Sequence, residues 1–223
     1  MEPRYVRNLQ ALSEAECNTL RTKKVAVIGC GGLGGYLIEM LARLGVGAIL
    51  AVDGDVFEET NLNRQLLSAP DMIGKSKAQA AYDRVKRINS EVAVSCASVF
   101  LNEENAASLI DGYDVVLDGL DNINSRKVLA EACGKLGIPY VFGGIQGWVA
   151  QAAIAMPGDG LIQRLYPEDV EVVDQSALSF TPALCASMQV ALCTKILVGQ
   201  QVESGKLWYV DLYPMEFESI PML

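Results

Sequence analysis

KVAVIGCGGLGG, residues 24–35, decides the fold. Residues 25–28 are a short β-rich apolar run that feeds directly into Gly29, Gly31, Gly32 and Gly34, the pattern of a strand, a tight turn and the start of a helix. Glycine suits such a turn because the chain needs positive φ there and because a phosphate approaches backbone only where no Cβ intervenes. The first amides of the following helix then face the anion, helped by the helix dipole. A second apolar run, residues 48–52, ends at Asp53, a carboxylate suited to accept from ribose hydroxyls. Taken alone, this arrangement is the fingerprint of a nicotinamide or flavin site, and an NAD(P)-dependent oxidoreductase is its default reading.

The next segment tells against that default. DGDVFEETNLNRQ, residues 53–65, crowds Asp53, Asp55, Asn61, Asn63, Arg64 and Gln65 beyond the second strand. Hydride transfer has no use for such a cluster, whereas a third phosphate does, because Arg64 can meet phosphate oxygens in a bidentate fork. Lys77 then falls in the first turn of a helix expected over residues 76–88, where the dipole disfavours a cation unless an anion is bound; Lys75 is assigned to solvent. LDGLDN, residues 117–122, closes another strand and sets Asp118, Asp121 and Asn122 at its carboxyl end, where open α/β sheets bind ligands. By residue type alone, Asn122 equally caps the helix over residues 123–136, with Asp121 a favourable charge beside it.

With GCGGLG, DGDVFEETNLNRQ, GKSK and LDGLDN in this order, the chain resembles the ThiF/MoeB/HesA family over nearly its whole length. These are relatives of the ubiquitin-activating enzymes and adenylate the C-terminal glycine of small ubiquitin-like sulfur carriers. The resemblance implies ATP and Mg²⁺ as cofactors, with Arg64 and Lys77 on the phosphates and Asp121 holding Mg²⁺ between triphosphate oxygens. It places Gly29, Gly31, Gly32, Gly34, Asp53, Asp55, Asn61, Gln65 and Asn122 around the nucleotide. RYVR, residues 4–7, is by itself a solvated arm; it resembles the family's N-terminal arm, whose second arginine crosses a dimer to the neighbour's ATP. That implies a homodimer with Arg7 acting in trans. The implied partner is a sulfur carrier ending in Gly-Gly. The same motifs occur in relatives that act on small molecules or tRNA. A non-catalytic ATP-binding subunit of the same fold is the other alternative, against which the intact set Asp53, Arg64, Lys77 and Asp121 weighs.

Two departures from the family matter. Many relatives carry two CxxC pairs that bind a structural zinc, but here the first location reads LIQRLYP and the chain stops before the second, so no zinc site is expected. Some relatives also carry a cysteine on the crossover loop that attacks the acyl-adenylate. Around DQSALSFTP there is none, and Cys185, just inside the next helix, reads as a packed thiol. The expected chemistry ends at the adenylate.

Composition narrows the remaining choices. At 223 residues the chain is long enough for one substantial core, and a formal charge of −9 disfavours a nucleic-acid partner. There is no histidine, which removes the Ser-His-Asp triad, the Cys-His pair and every His-ligated metal site. Six cysteines without a CxxC read as reduced, packed thiols, and the N-terminus lacks the basic and apolar regions of a signal peptide; a cytoplasmic location is expected, with no membrane span. The expected fold is α/β: a Rossmann-like, mostly parallel sheet extended by antiparallel C-terminal strands, in one domain. Residues 1–22 form an arm and a helix over about 13–20 opened by a Ser13–Glu16 capping box; residues 23–147 form the nucleotide-binding core, with a short helix over 103–110 and a fifth strand over 139–142; residues 148–223 form the extension, whose strands lack a complete βαβ spacing. A crossover loop is expected over about 161–180, and Thr181-Pro182 should open an apolar helix that Gly199 ends.

Overall fold

Val25, Ala26, Val27 and Ile28 are all shut off from solvent, which a strand attains only where helices cover both faces of its sheet. The structure, a computed structural model, describes residues 2–167 and 176–222. Five parallel strands, β1 (Lys24–Ile28), β2 (Ala48–Val52), β3 (Ala93–Ala97), β4 (Val115–Asp118) and β5 (Tyr140–Gln146), lie in the order β3-β2-β1-β4-β5. The sheet continues through antiparallel β6 (Val149–Ala155), β7 (Lys206–Asp211) and β8 (Glu216–Pro221). The chain leaves β1 toward β2 on one side and later returns to β4 on the other. The carboxyl ends of β1 and β4 therefore flank a topological switch point, where loops diverge and leave a crevice.

The helices are α1 (Glu14–Leu20), α2 (Gly32–Leu44), α3 (Lys77–Ile88), α4 (Ala106–Ile110), α5 (Ile123–Leu136), α6 (Leu161–Leu165) and α7 (Phe180–Leu197). Strand alternation divides the core in two. Val25 and Val27 face Leu37 and Leu41 of α2, Val85 of α3 and Cys193 of α7, while Ala26 and Ile28 face Ile110 of α4, Leu129 of α5 and Leu161 of α6. Helix α7 is long and apolar enough to cross a membrane by length and composition, yet Cys185, Ala186, Val190 and Cys193 are buried inside the protein and the helix lies across β5 and β6.

Several expected boundaries shift for local reasons. The helix expected from 103 begins only at Ala106, because the Asn102 carboxamide takes the amides of Glu104 and Asn105 into a turn. Strand β5 runs past Phe142 to Gln146, since β6 pairs with it residue by residue back to Val149. Helix α7 starts at Phe180, with Ser179 before it. Thr181 is thus inside the helix rather than its cap, and its hydroxyl donates to the Gly147 carbonyl at 2.7 Å. Residues 161–165 are helical where a loop is expected, and residues 168–175 of that connection lie outside the described residues. The Ser13 capping box forms as expected.

The N-terminal arm is docked rather than solvated. Pro3–Asn8 is a 3-10 segment in which Tyr5 is buried, its ring against Gly45 and its hydroxyl accepting from Asn89 Nδ2 at 2.7 Å. Asn8 Nδ2 donates to the carbonyl of Leu44, the last residue of α2.

Helices α2 and α3 are clamped by Glu39, whose carboxylate accepts from Arg84 Nε and Nη2 at 2.7 and 2.9 Å and from Arg43 Nε at 2.7 Å. Burial works to raise the Glu39 carboxyl, and the bonds from Arg84 and Arg43 outweigh it and hold it below its ordinary value. A carboxyl lowered on folding contributes stability above its unfolded pKa and loses that contribution as pH falls through the folded value. Glu39→Gln should therefore cost about 1 kcal/mol in urea unfolding at pH 7. That difference from wild type should shrink as pH falls below the ordinary glutamate range and through the lowered folded value, once Glu39 itself is protonated.

Candidate active site

The four glycines of the first turn do different jobs. Gly29 has φ +96°, and a Cβ there would sit 2.4 Å from the Gly119 carbonyl oxygen. Only this one of the four needs positive φ. Gly34 lies behind the turn, where a Cβ would meet the Gly29 carbonyl at 1.8 Å, so its absence of a side chain lets α2 close on β1. At Gly31 and Gly32 the nearest protein atoms to a built Cβ are 3.4 and 3.9 Å away. The protein's own packing does not require glycine at these two positions, and what they leave open is the floor of a cavity.

That cavity, about 650 Å³, opens at the switch point. Its wall carries Gly29, Gly31, Gly32, Asp53, Asp55, Arg64, Gln65, Lys77, Asp121 and Asn122. Three residues expected at the site stand outside this wall. Gly34 is the packing glycine just described. Asn61 is buried, its Oδ1 accepting from the Glu58 amide at 3.0 Å, which shapes the loop. Arg7 is exposed beside Asn8, at the far end of α2 from Gly32.

Asp53 ties the turn to the end of β2, one carboxylate oxygen accepting from the Cys30 amide at 2.7 Å and the other from the Asp55 amide at 2.8 Å. Burial raises its carboxyl above the ordinary value, against the pull of those two amides and of Lys77. Lys77, at the first position of α3, is 7% exposed, and its Nζ lies 3.0 Å from Asp55 Oδ2. The exposed Asp55 thus offsets the dipole's repulsion of a cation. Arg64 is held over Gly32 by bonds from one nitrogen to the Thr60 carbonyl and to Asn63 Oδ1, both 2.9 Å. Gln65 is buried against Gly31, and its Oε1 is without a hydrogen-bond partner. Asn122 does cap α5, accepting from the Ser125 amide at 2.8 Å, and beside it the Asp121 carboxylate is exposed to the cavity.

Sequence reasoning sets Asp118 beside Asp121 at the ligand end of β4, but the structure puts it beneath the cavity wall, with partners the sequence does not show. Asp118 is fully buried; its Oδ2 accepts from Tyr140 Oη at 2.6 Å and its Oδ1 from the Leu120 amide at 2.8 Å. Arg126 Nε sits 3.2 Å from Asp118 Oδ2, off the axis of a hydrogen bond. Tyr166 and Phe100 also line the cavity unforeseen, the Phe100 ring lying against Gly54. An exposed phenylalanine in a loop and a tyrosine just past a short helix leave no periodic signal.

Arg64, Lys77 and the open glycine floor fit the phosphates of a nucleotide, and the orphaned Gln65 Oε1 is an acceptor for a hydroxyl or amino group of the same ligand. It also fits Mg²⁺, which is commonly held by one or two carboxylates together with phosphate oxygens and water, here Asp121. Among the described residues no three potential metal-binding side chains cluster. Cys185 is fully buried, its Sγ donating to the Gln151 carbonyl at 3.2 Å, and burial pushes its thiol up to about 12, which leaves no thiolate at neutral pH.

Fold and site together define a Rossmann-like α/β protein in which a glycine turn and charged side chains from the loops after β2 and β4 and from the start of α3 share one cavity. The chain matches the ThiF family over residues 5–222 and belongs to it. It is 32% identical over 209 residues to the SAMP-activating enzyme E1 of Haloferax volcanii, covering 91% of this chain and 77% of that one. To the adenylyltransferase and sulfurtransferase MOCS3 of Drosophila sechellia it is 33% identical over 209 residues, 90% of this chain and 46% of that protein. It thus spans about half the length of MOCS3. Among solved structures, MccB of E. coli with ATP superposes over 100% of this chain and 72% of its own, with a TM-score of 0.85 at 23% identity, a likeness of fold.

The two kinds of glycine should separate on substitution. Gly34→Ala should destabilise the protein by about 2 kcal/mol or more in urea unfolding, since backbone must move. Gly32→Ala, in the first turn of α2, should leave stability unchanged or raise it by up to about 1 kcal/mol.

Proposed function

We propose that this protein is an adenylyltransferase that uses ATP and Mg²⁺ to activate the C-terminal glycine carboxylate of a small ubiquitin-like sulfur carrier ending in Gly-Gly. The main support is the convergence of Arg64, Lys77 and Asp121 on one cavity over glycines that the protein's own packing does not demand. Membership of the ThiF family and the adenylyltransferase names of its relatives point the same way.

In this reading the triphosphate lies over Gly31 and Gly32 at the start of α2, with the ribose toward Asp53. The carrier's carboxylate attacks the α-phosphorus in line; the new bond is carboxyl oxygen to α-phosphorus, and the bond to the bridging oxygen breaks to release pyrophosphate. Charge grows on the non-bridging and leaving oxygens, where fixed cations lower the barrier most. Arg64 and Lys77 supply that charge from positions already set by Thr60, Asn63 and Asp55. Mg²⁺ held by Asp121 would neutralise the phosphate oxygens further. The nucleophile is ionised at pH 7 and needs no base, consistent with a chain that has no histidine.

Arg7 belongs to a neighbour's cavity in this proposal. Helix α2, with 13 residues, is about 20 Å long at ~1.5 Å per residue, and Arg7 lies at its far end, beyond the reach of its own subunit's Gly32. A homodimer that turns the arm toward a second subunit removes this distance.

Lys77→Ala and Arg64→Ala should each lower ATP–pyrophosphate exchange by more than about tenfold, and exchange within a few fold of wild type contradicts the assignment. Mixing equal amounts of Arg7→Ala and Lys77→Ala proteins should restore about a quarter of wild-type activity, because half the dimers then hold one intact site. No recovery after subunit exchange contradicts the action in trans.

A further inference from the structure

Arg126 has no counterpart in the chemistry just derived, yet it is the most heavily engaged charged side chain near the cavity. It is 8% exposed, and it contributes to the wall. One terminal nitrogen donates to the Leu120 carbonyl at 2.6 Å and to the Gly143 carbonyl at 2.9 Å, and the other donates to the Tyr166 hydroxyl. The guanidinium lies beside a pair of rings that meet edge to face, 5.1 Å from the centroid of Phe142 and 5.6 Å from that of Tyr166. A buried ion pair with Asp118 is poorly explained by stability, since apolar residues of similar volume often do as well or better.

Its partners suggest what it does instead. Asp118 holds the amide of Leu120 and Arg126 holds the carbonyl of the same residue, so both polar groups of that peptide segment are pinned by one ion pair. Leu120 stands between Gly119, whose backbone touches Gly29, and Asp121, whose carboxylate faces the cavity. We infer that Arg126 is a positioning residue: with Tyr166 it fixes the 119–121 backbone, and through it sets both the Asp121 carboxylate and the glycine turn at the distance the reaction needs. The inference rests on the adenylation reading of the cavity. Lysine cannot replace it, because one ammonium cannot reach the Leu120 and Gly143 carbonyls and the Tyr166 hydroxyl in a single plane.

The test compares wild type, Arg126→Lys, Tyr166→Phe and Asp121→Asn. Tyr166→Phe removes one hydroxyl and keeps the ring, so it folds even if Arg126→Lys does not. Amide hydrogen exchange without nucleotide should show faster exchange across residues 119–122 in Arg126→Lys and in Tyr166→Phe, with protection in β1 and β2 unchanged. In pyrophosphate exchange, both variants should lose kcat, Tyr166→Phe by about threefold and Arg126→Lys by about tenfold or more, with KM for ATP altered less than about threefold. Adding Asp121→Asn to either should cost less than the product of the separate losses, because both act through one carboxylate. Unchanged loop protection in Tyr166→Phe, or losses that multiply with Asp121→Asn, overturns the positioning role. Wild-type protein that carries out no pyrophosphate exchange with any Gly-Gly carrier overturns the adenylation reading instead, while the exchange protection still reports whether Arg126 and Tyr166 order the loop.

Discussion

Two glycines, Gly29 and Gly119, touch backbone to backbone where β1 and β4 end, and neither tolerates a Cβ: one at Gly29 would meet the Gly119 oxygen at 2.4 Å and one at Gly119 the Gly29 oxygen at 2.6 Å. Parallel pairing of β1 with β4, Ile28 opposite Asp118, sets the strands at the usual separation; the missing side chains let the loops beyond them converge as well. Because of this contact the first turn of α2 and the Leu120–Asn122 segment, ninety residues apart in the chain, become two walls of one cavity. The polar loop after β2 supplies the third wall, tied in by the Asp53 carboxylate that grips the Cys30 and Asp55 amides.

The charges around that cavity are set before any ligand arrives. Lys77 is buried and paired to an exposed Asp55, Arg64 is braced by a carbonyl and a carboxamide, and the Asp118–Arg126 pair lies under the loop that carries Asp121. Fixed dipoles and cations of this kind need little rearrangement as charge develops, which is where most electrostatic rate enhancement originates. Burial raises the Asp118 carboxyl, opposed by Arg126, Tyr140 and the Leu120 amide, while the guanidinium beside it stays charged at ordinary pH. Helices α2, α3 and α7 pack together on one face of the sheet and provide the backing for the turn.

Much of this was legible in the chain because it is local. The glycine turn, Asp53 at a strand end, the Ser13 and Asn122 caps and the apolar runs of β1, β2 and β4 each carry their signal within a few residues. What was not legible depends on distant partners. Arg126 looks like any helical arginine until Gly143 and Tyr166, 17 and 40 residues away, come to meet it. Gly34 fits the phosphate-turn pattern, although its reason is the Gly29 carbonyl behind it, and Asn61 fits the polar cluster although its carboxamide is used inside the loop. Thr181 has the composition of a cap but gives its hydroxyl to Gly147, a choice fixed by how α7 crosses the β5–β6 hairpin. The eight-stranded sheet was foreseen in its mixed character, parallel first and antiparallel after β5, from the loss of βαβ spacing.

The proposed activity requires a nucleoside triphosphate, rather than a redox dinucleotide, in the cavity at the switch point. Isothermal calorimetry with magnesium present, titrating ATP and NAD⁺ separately into the same protein, addresses that directly. Binding of ATP at one site per chain with no heat from NAD⁺ is the expected result. Tight binding of NAD⁺ with no uptake of ATP contradicts it.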